Sequence, residues 1–306
     1  MIYALIDLGS NTIRLTVYQC EQIQGDKRPP IDIYFHKKTV AGIASYVEEG
    51  RLSEKGMQRA SDVLNNYKRV LKPFGIENVQ VFATASLRNI ENTQEAVDYI
   101  QRKTGWLVDV ISGEEEATYG FLGMTLAMPA RDGILLDIGG GSTEIVIYQD
   151  SKILKACSLP IGSLNLFSQY VDGLLPTISE KDKISARVLE EVQQAALTVP
   201  FRHPVICGVG GTVRATARLN NEVFRRTSDN NAIPARNLKY MTKQINGERN
   251  HFVTTILKTA PERIHTIAPG MLILRTLSKY FDSKEIVVSG FGVREGYLVG
   301  KILRSV

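Results

Sequence analysis

Two stretches of this chain repeat one another at long range. Ala4 to Gln19 (ALIDLGSNTIRLTVYQ) lies without gaps on Ile134 to Gln149 (ILLDIGGGSTEIVIYQ). Asp7 falls on Asp137, Gly9 on Gly139, Thr12 on Ser142, and Tyr18-Gln19 on Tyr148-Gln149, while the flanking apolar stretches stay in register. Each copy reads as strand, tight polar loop, strand. Two copies separated by 130 positions imply a duplicated domain rather than a stacked array. A chain of 306 residues has room for two α/β domains, and a pair flanking a cleft is the expected architecture.

The loop chemistry follows from the residue types. Glycines let the backbone approach an anion closely and expose amides that can surround phosphate oxygens. Ser10, Thr12, Ser142 and Thr143 add hydroxyl donors. An aspartate ends the first strand of each copy, Asp7 and Asp137, and a carboxylate beside phosphate calls for a divalent cation between the two negative groups. Mg²⁺ is the expected ion. No G-x-x-x-x-G-K-[ST] occurs and no G-x-G-x-x-G opens a helix after a strand, which disfavours P-loop kinases and dinucleotide dehydrogenases.

Composition narrows the class further. The chain is 43% hydrophobic and 23% charged, a globular balance. Asp7 interrupts the first apolar run before membrane or signal length, and no other segment approaches a span, so neither a leader nor a membrane partner is expected. Cys20, Cys157 and Cys207 are odd in number and widely spaced, which suits core thiols in a reducing, cytoplasmic compartment. The four histidines form no helical metal pair, which argues against zinc chemistry. A net charge of +5 favours anionic partners, but charge alone does not choose among nucleic acid, lipid headgroups and polyphosphate. Basic and aromatic residues do not interleave as in single-strand binders, so nucleic acid is not expected.

Along the chain, Ser53 to Leu71 has helical periodicity with a serine cap, and Val79 to Ala83 is a short buried strand ending in Thr84-Ala85-Ser86-Leu87-Arg88. A second helix is expected over Asn92 to Lys103, and a strand over Val108 to Ile111. Ser112 then caps a helix that carries Glu114, Glu115 and Glu116 in its first turn, where acidic residues complement the dipole. Glu116 also precedes the second glycine loop by one short helix, a place from which a carboxylate can orient and deprotonate water. Two more glycine clusters, Gly208 to Thr212 and Ser289 to Gly296, follow β-branched runs as strand-to-helix turns. Gly210 and Gly211 join the candidate phosphate binders. Arg214 to Lys243 is rich in cations and reads equally as a polyanion path or a solvated face.

Taken together, these motifs resemble the exopolyphosphatase and guanosine pentaphosphate phosphohydrolase family of the actin-like superfamily. The carriers are DLGSN (Asp7 to Asn11), TASLR (Thr84 to Arg88), SGEEEA (Ser112 to Ala117), DIGGGSTE (Asp137 to Glu144), GVGGT (Gly208 to Thr212) and SGFGVREG (Ser289 to Gly296). The resemblance implies two ribonuclease H-like domains, residues 1–124 with 293–306 and residues 125–292, the last helix returning to the first. It makes Glu116 the catalytic base and gives Asp137 and Glu144 a role in holding the cation, beside Asp7. Gly140, Gly141 and Ser142 would bind phosphoryl oxygens, as would Ser10, Asn11, Arg14 and Arg88. Mg²⁺ is the implied cofactor, Mn²⁺ its stand-in, with room for a monovalent cation. A homodimer is the family habit. The chain corresponds to a short form without the C-terminal helical domains, and Asn165 stands where many relatives carry a basic residue.

The implied activity is Mg²⁺-dependent removal of the terminal phosphate of inorganic polyphosphate. The first rival is hydrolysis of guanosine pentaphosphate, which uses the same phosphate grip. A sugar or acid kinase and a non-catalytic polyanion-binding module are further alternatives.

Overall fold

The computed structural model describes residues 1–20, 30–195 and 201–303. The chain divides into two compact units, Met1–Glu116 with Tyr297–Val306, and Ala117–Gly296.

In the first unit the opening repeat folds as a hairpin of β1 (Ile2–Leu8) and β2 (Thr12–Cys20), with Asp7 opposite Arg14 and Leu8 opposite Ile13. β3 (Ile31–Val40) adds antiparallel to β2. A two-stranded ribbon, β4 (Val47–Glu48) and β5 (Arg51–Leu52), leads into helix α1 (Glu54–Leu71). Ser53 caps that helix, its side chain accepting from the Gly56 amide, and Met57, Ala60, Leu64, Tyr67 and Leu71 are its buried stripe. The spacing places all five on one face, and the Tyr67 hydroxyl donates to the Ile13 carbonyl at 2.8 Å, pinning helix to sheet. β6 (Val79–Ala83), the short α2 (Ala85–Arg88), α3 (Thr93–Thr104) and β7 (Val108–Val110) follow, and the sheet order is β3-β2-β1-β6-β7.

The second unit repeats that plan. After α4 (Gly113–Ala127), the hairpin of β8 (Gly133–Ile138) and β9 (Thr143–Gln149) sets Asp137 opposite Glu144, and β10 (Lys152–Leu159) extends it. Helices α5 (Ser163–Tyr170) and α6 (Ile178–Gln194) lead to β11 (Val205–Val209), which opens α7 (Gly210–Val223). β12 (Ala232–Pro234), α8 (Ala235–Gly247), α9 (Arg249–Thr259), α10 (Ile267–Tyr280), β13 (Glu285–Val288) and α11 (Val293–Tyr297) complete it. The sheet order is β10-β9-β8-β11-β13-β12.

Strand by strand, β10-β9-β8-β11-β13 matches β3-β2-β1-β6-β7, with three antiparallel strands followed by two parallel ones in both sheets. β12 is the second unit's own addition, antiparallel at the edge. Two ribonuclease H-like units of this topology make the duplicated α/β fold of the actin-like class.

The units meet in sequence inside α4 and again at the end of α11, between Gly296 and Tyr297, near the expected junctions at 124/125 and 292/293. Ala117, Phe121 and Met124 pack with Leu135, Val146, Tyr148, Cys207 and Val209, so burial assigns this stretch to the second core. Of the expected 293–306 return, residues 304–306 lie outside the described set. The return itself is anchored within the first unit, where the Tyr297 ring stacks on Phe82 and its hydroxyl donates to Asp109 at 2.8 Å.

Candidate active site

The two hairpin loops have the same internal geometry. The Gly9 amide donates to the Thr12 carbonyl at 3.2 Å, and the Gly139 amide to the Ser142 carbonyl at 2.9 Å. Asp7 and Asp137 sit half-buried at the ends of the equivalent strands.

The loop carbonyls are held from behind. In the second unit α5 starts against the loop: the Ser163 amide donates to the Gly139 carbonyl at 2.9 Å, and the Leu164 and Asn165 amides donate to the Gly140 carbonyl at 2.9 and 3.1 Å. The Asn165 side-chain amide donates to the Gly141 carbonyl at 3.3 Å, and its Oδ1 accepts from the Gly162 amide at 2.6 Å. Because peptide groups are planar and trans, three carbonyls turned towards α5 turn the amides of Gly140, Gly141 and Ser142 the opposite way. Successive amides presented on one side make a nest for an anion. Gly162 makes the close seating possible, since a Cβ there would lie 2.4 Å from the Gly140 carbonyl carbon.

In the first unit the segment after β3 does the same work. The Ala44 amide donates to the Ser10 carbonyl at 3.0 Å, and the Ala41 and Gly42 amides donate to the Asn11 carbonyl at 3.0 and 2.9 Å. This segment opens the 3₁₀ turn Ile43–Tyr46. Asn11 and Thr12 therefore present their amides outward in turn. Ser10 is buried and Asn11 half-buried.

Around this first loop, the Ser86 hydroxyl donates to the Leu8 carbonyl in a short hydrogen bond, which ties the TASLR turn to the end of β1. Arg88 Nη1 donates to Glu116 Oε2 at 2.7 Å and to the Ile111 carbonyl at 3.2 Å. The division of labour within SGEEEA is clear. Ser112 and Glu115 cap each other, amide to carboxylate at 2.8 Å and amide to hydroxyl at 3.1 Å, while Glu114 is exposed. Of the three glutamates, Glu116 alone is buried.

The cross-strand partners distinguish the two hairpins electrostatically. Directly opposed residues of an antiparallel pair share a face. Asp7 faces a guanidinium-bearing residue, Arg14, whereas Asp137 faces a second acid, Glu144. Glu144 is buried and accepts from the Ser158 hydroxyl at 2.7 Å. Two carboxylates on one face fit Mg²⁺, which commonly takes one or two carboxylates from protein and the rest from water and phosphate. Among the described residues no group of three or more His, Cys, Asp or Glu side chains converges as a metal site.

A model of the Ppx/GppA phosphatase family matches residues 26–305. The chain belongs to the Ppx/GppA phosphatase family. It is 28% identical over 303 residues to a guanosine-5'-triphosphate,3'-diphosphate pyrophosphatase of Aeromonas hydrophila, covering 98% of this chain and 59% of that protein. A putative exopolyphosphatase of Haemophilus influenzae is 25% identical over 300 residues, 96% of this chain and 90% of its own length. The solved Aquifex aeolicus PPX-GPPA enzyme superposes with a TM-score of 0.74 at 28% identity, covering 98% of this chain and 99% of that one.

In this member of the Ppx/GppA family the third glycine cluster packs against charged side chains. Gly210, at φ 80°, lies so close to the Asp137 carboxylate that a Cβ would sit 2.0 Å from Oδ1, so only glycine fits. Gly211 meets Arg263, whose Nη2 would lie 2.1 Å from a Cβ there, and Arg263 Nη1 donates to Thr212 Oγ1 at 3.4 Å. Arg263, from the 3₁₀ turn Pro261–Arg263, carries no sequence signal of its own because 51 residues separate it from Thr212. The fourth cluster is tied inward, the Gly292 amide donating to the buried Glu295 at 2.8 Å.

The basic run Arg214 to Lys243 does not form one path. Arg214 donates to the Gly290 carbonyl, and Arg218 pairs with Glu262. Arg225 lines a different hollow from Arg236 and Lys239. The run is spread over α7, the following turn and α8.

Proposed function

We propose that this chain is a Mg²⁺-dependent exopolyphosphatase that hydrolyses the terminal phosphoanhydride bond of inorganic polyphosphate and releases orthophosphate. The observation that carries the reading is the pair of hairpin loops whose carbonyls are bound from behind, so that their amides face outward as anion nests. The chain spans 59% of the Aeromonas relative, and that protein's named substrate is the rival for this one.

In the proposed mechanism the amides of Gly140 and Gly141 and the Ser142 group hold the phosphoryl oxygens, with Ser10, Asn11 and Arg14 serving from the first loop. Gly210 and Gly211 line the third turn. Asp137 and Glu144 are the proposed holders of the cation, and the arginine opposite Asp7 gives that residue a lesser share. Bound Mg²⁺ would neutralise charge on the transferring phosphoryl group. Glu116 acts as general base on water, and Arg88 fixes one of its carboxylate oxygens. Phosphoryl transfer requires mainly positioning and charge stabilisation, which is what amides, a cation and a held carboxylate supply. Three free thiols suit work in the cytoplasm.

Phosphate release from purified protein tests the reading. Glu116→Gln is expected to lower kcat by roughly 10²–10⁴-fold with little change in substrate binding. A near-normal rate would reject the base assignment. Chelation with EDTA should abolish release and added Mg²⁺ should restore it; release that survives chelation contradicts the cation's role. Comparing kcat/KM on polyphosphate and on guanosine pentaphosphate decides between the two substrates.

A further inference from the structure

A groove in the second unit, far from the glycine turns, gathers much of the chain's excess charge. It is a hollow of about 380 Å³ between α8 and α10, lined by Arg236, Lys239, Arg275, Lys279 and Lys284 with one carboxylate, Asp282. Asp282 is already engaged by Lys284 at 2.7 Å. Among the described residues, Arg236, Lys239 and Lys279 meet no carboxylate at ion-pair distance.

Local structure explains the convergence. Arg236, Lys239 and Lys243 stand three and four residues apart on α8, and Arg275 and Lys279 four apart on α10, so each set shares a helix face. Arg275 Nη1 donates to Thr242 Oγ1 at 3.0 Å, and Lys181 Nζ donates to the carbonyl of the same threonine at 3.3 Å. Burial, and next the charge of Arg275, hold the Lys181 ammonium below the usual lysine range. Lys181 and Arg275 are thus crowded about Thr242 beside the groove, and among the groove's own described cations only Lys284 meets a carboxylate.

The groove lies at the opposite end of the six-stranded sheet from the candidate phosphate loop. Lys284 and Glu285 donate their amides to the Pro204 carbonyl at 2.8 and 3.1 Å, where β11 and β13 begin. Gly210 follows β11 at the other end, and Ser289, just past β13, donates its amide to the Gly208 carbonyl there. Open α/β sheets react substrates at the strands' carboxyl ends, so this hollow is separate from the proposed chemistry.

We propose that this groove is an exosite for inorganic polyphosphate, holding a stretch of chain remote from the end being hydrolysed. The proposal rests on the polyphosphate reading above. Five cations around one hollow exceed what a single orthophosphate needs, and they suit a linear polyanion of repeating charge. Nucleic acid is the less favoured occupant, because Ala235, Leu238, Ser278 and Ser283 complete the lining and no aromatic ring offers a stacking platform.

The test is the triple variant Arg236→Gln, Lys239→Gln, Lys279→Gln, beside a control of equal charge loss at the exposed Lys55, Lys72 and Lys152. The groove variant is expected to raise KM for long-chain polyphosphate about tenfold, three screened contacts each contributing modestly, while kcat and the KM for tripolyphosphate stay as in the parent. An unchanged long-chain KM, an equal rise on tripolyphosphate, or the same rise in the control would overturn it. Direct titration of long-chain polyphosphate onto the Mg²⁺-free protein separates this from the parent reading. If the parent chain releases no phosphate, the function falls; the exosite stands if the groove variant still binds the polymer about tenfold more weakly and falls if its binding is unchanged. Single-stranded DNA that displaces the polymer equally well at equal phosphate concentration would overturn the choice of occupant.

Discussion

Arg88 and Glu116 illustrate how much depends on a pair of side chains. They are 18% and 9% exposed and lie 2.7 Å apart, so removing the cation leaves a carboxylate in a poorly solvated place. Arg88→Ala is expected to destabilise the protein by about 3 kcal/mol, read as a lower denaturant midpoint at unchanged slope. A shift of less than about 0.5 kcal/mol would show that water enters to replace the guanidinium. The thiols provide a second residue-level check. Burial pushes Cys20 and Cys157 up to about 11 and Cys207 up to about 12, from 9.0. Because the folded values are raised, unfolded thiols ionise first as pH passes about 9, and stability falls between there and about 11–12. Alkylation at pH 8.5 should accordingly be slow for the native protein and fast in urea. Rapid native labelling of Cys207 would contradict its placement in the core. The motif residues are legible in the sequence, Arg88 among them as a candidate phosphate ligand. Its pairing with Glu116 needed the fold, because α3 and β7 intervene.

At the scale of elements, the clamp on each hairpin loop is the feature that sequence repetition did not reach. The matched segments end at Gln19 and Gln149, yet the equivalence continues through the third strand into a helical turn whose first amides hold the loop carbonyls. Asn165, which stood out only for not being basic, is part of that clamp: it accepts from Gly162 and donates to Gly141 and Pro160. Asn165→Ala is expected to cost roughly 1–3 kcal/mol through the groups it leaves unpaired, and to raise KM more than it lowers kcat. Gly162→Ala should be more severe, since the added carbon meets backbone at 2.4 Å rather than a movable side chain. Thermal unfolding together with initial rates checks both; a Gly162→Ala protein with parental melting and KM would show that α5 does not hold the loop. The capped helix α1 and the strand Val79–Ala83 were legible for the opposite reason, each being specified by its own spacing and flanking residues.

For the molecule as a whole, one plan used twice accounts for most of the architecture, and the net charge of +5 bears on how it meets substrate. Attraction between a cationic protein and a polyanion weakens as salt shortens the Debye length. KM for polyphosphate is therefore expected to climb steadily from low to physiological ionic strength with kcat nearly level; a flat profile would show that only close contacts matter. Two hairpins, their polar loops and the acids at their strand ends were determined by the sequence alone, because strand alternation and turn chemistry act between residues a few positions apart. Even the contrast of Asp7 facing Arg14 and Asp137 facing Glu144 follows once each loop fixes its register. Only the tertiary structure decided that Gly210 presses on Asp137, that Arg263 reaches Gly211, and that cations from α8 and α10 share a groove. Those contacts join residues far apart in the chain, where no local pattern sets the distance and packing of the core does.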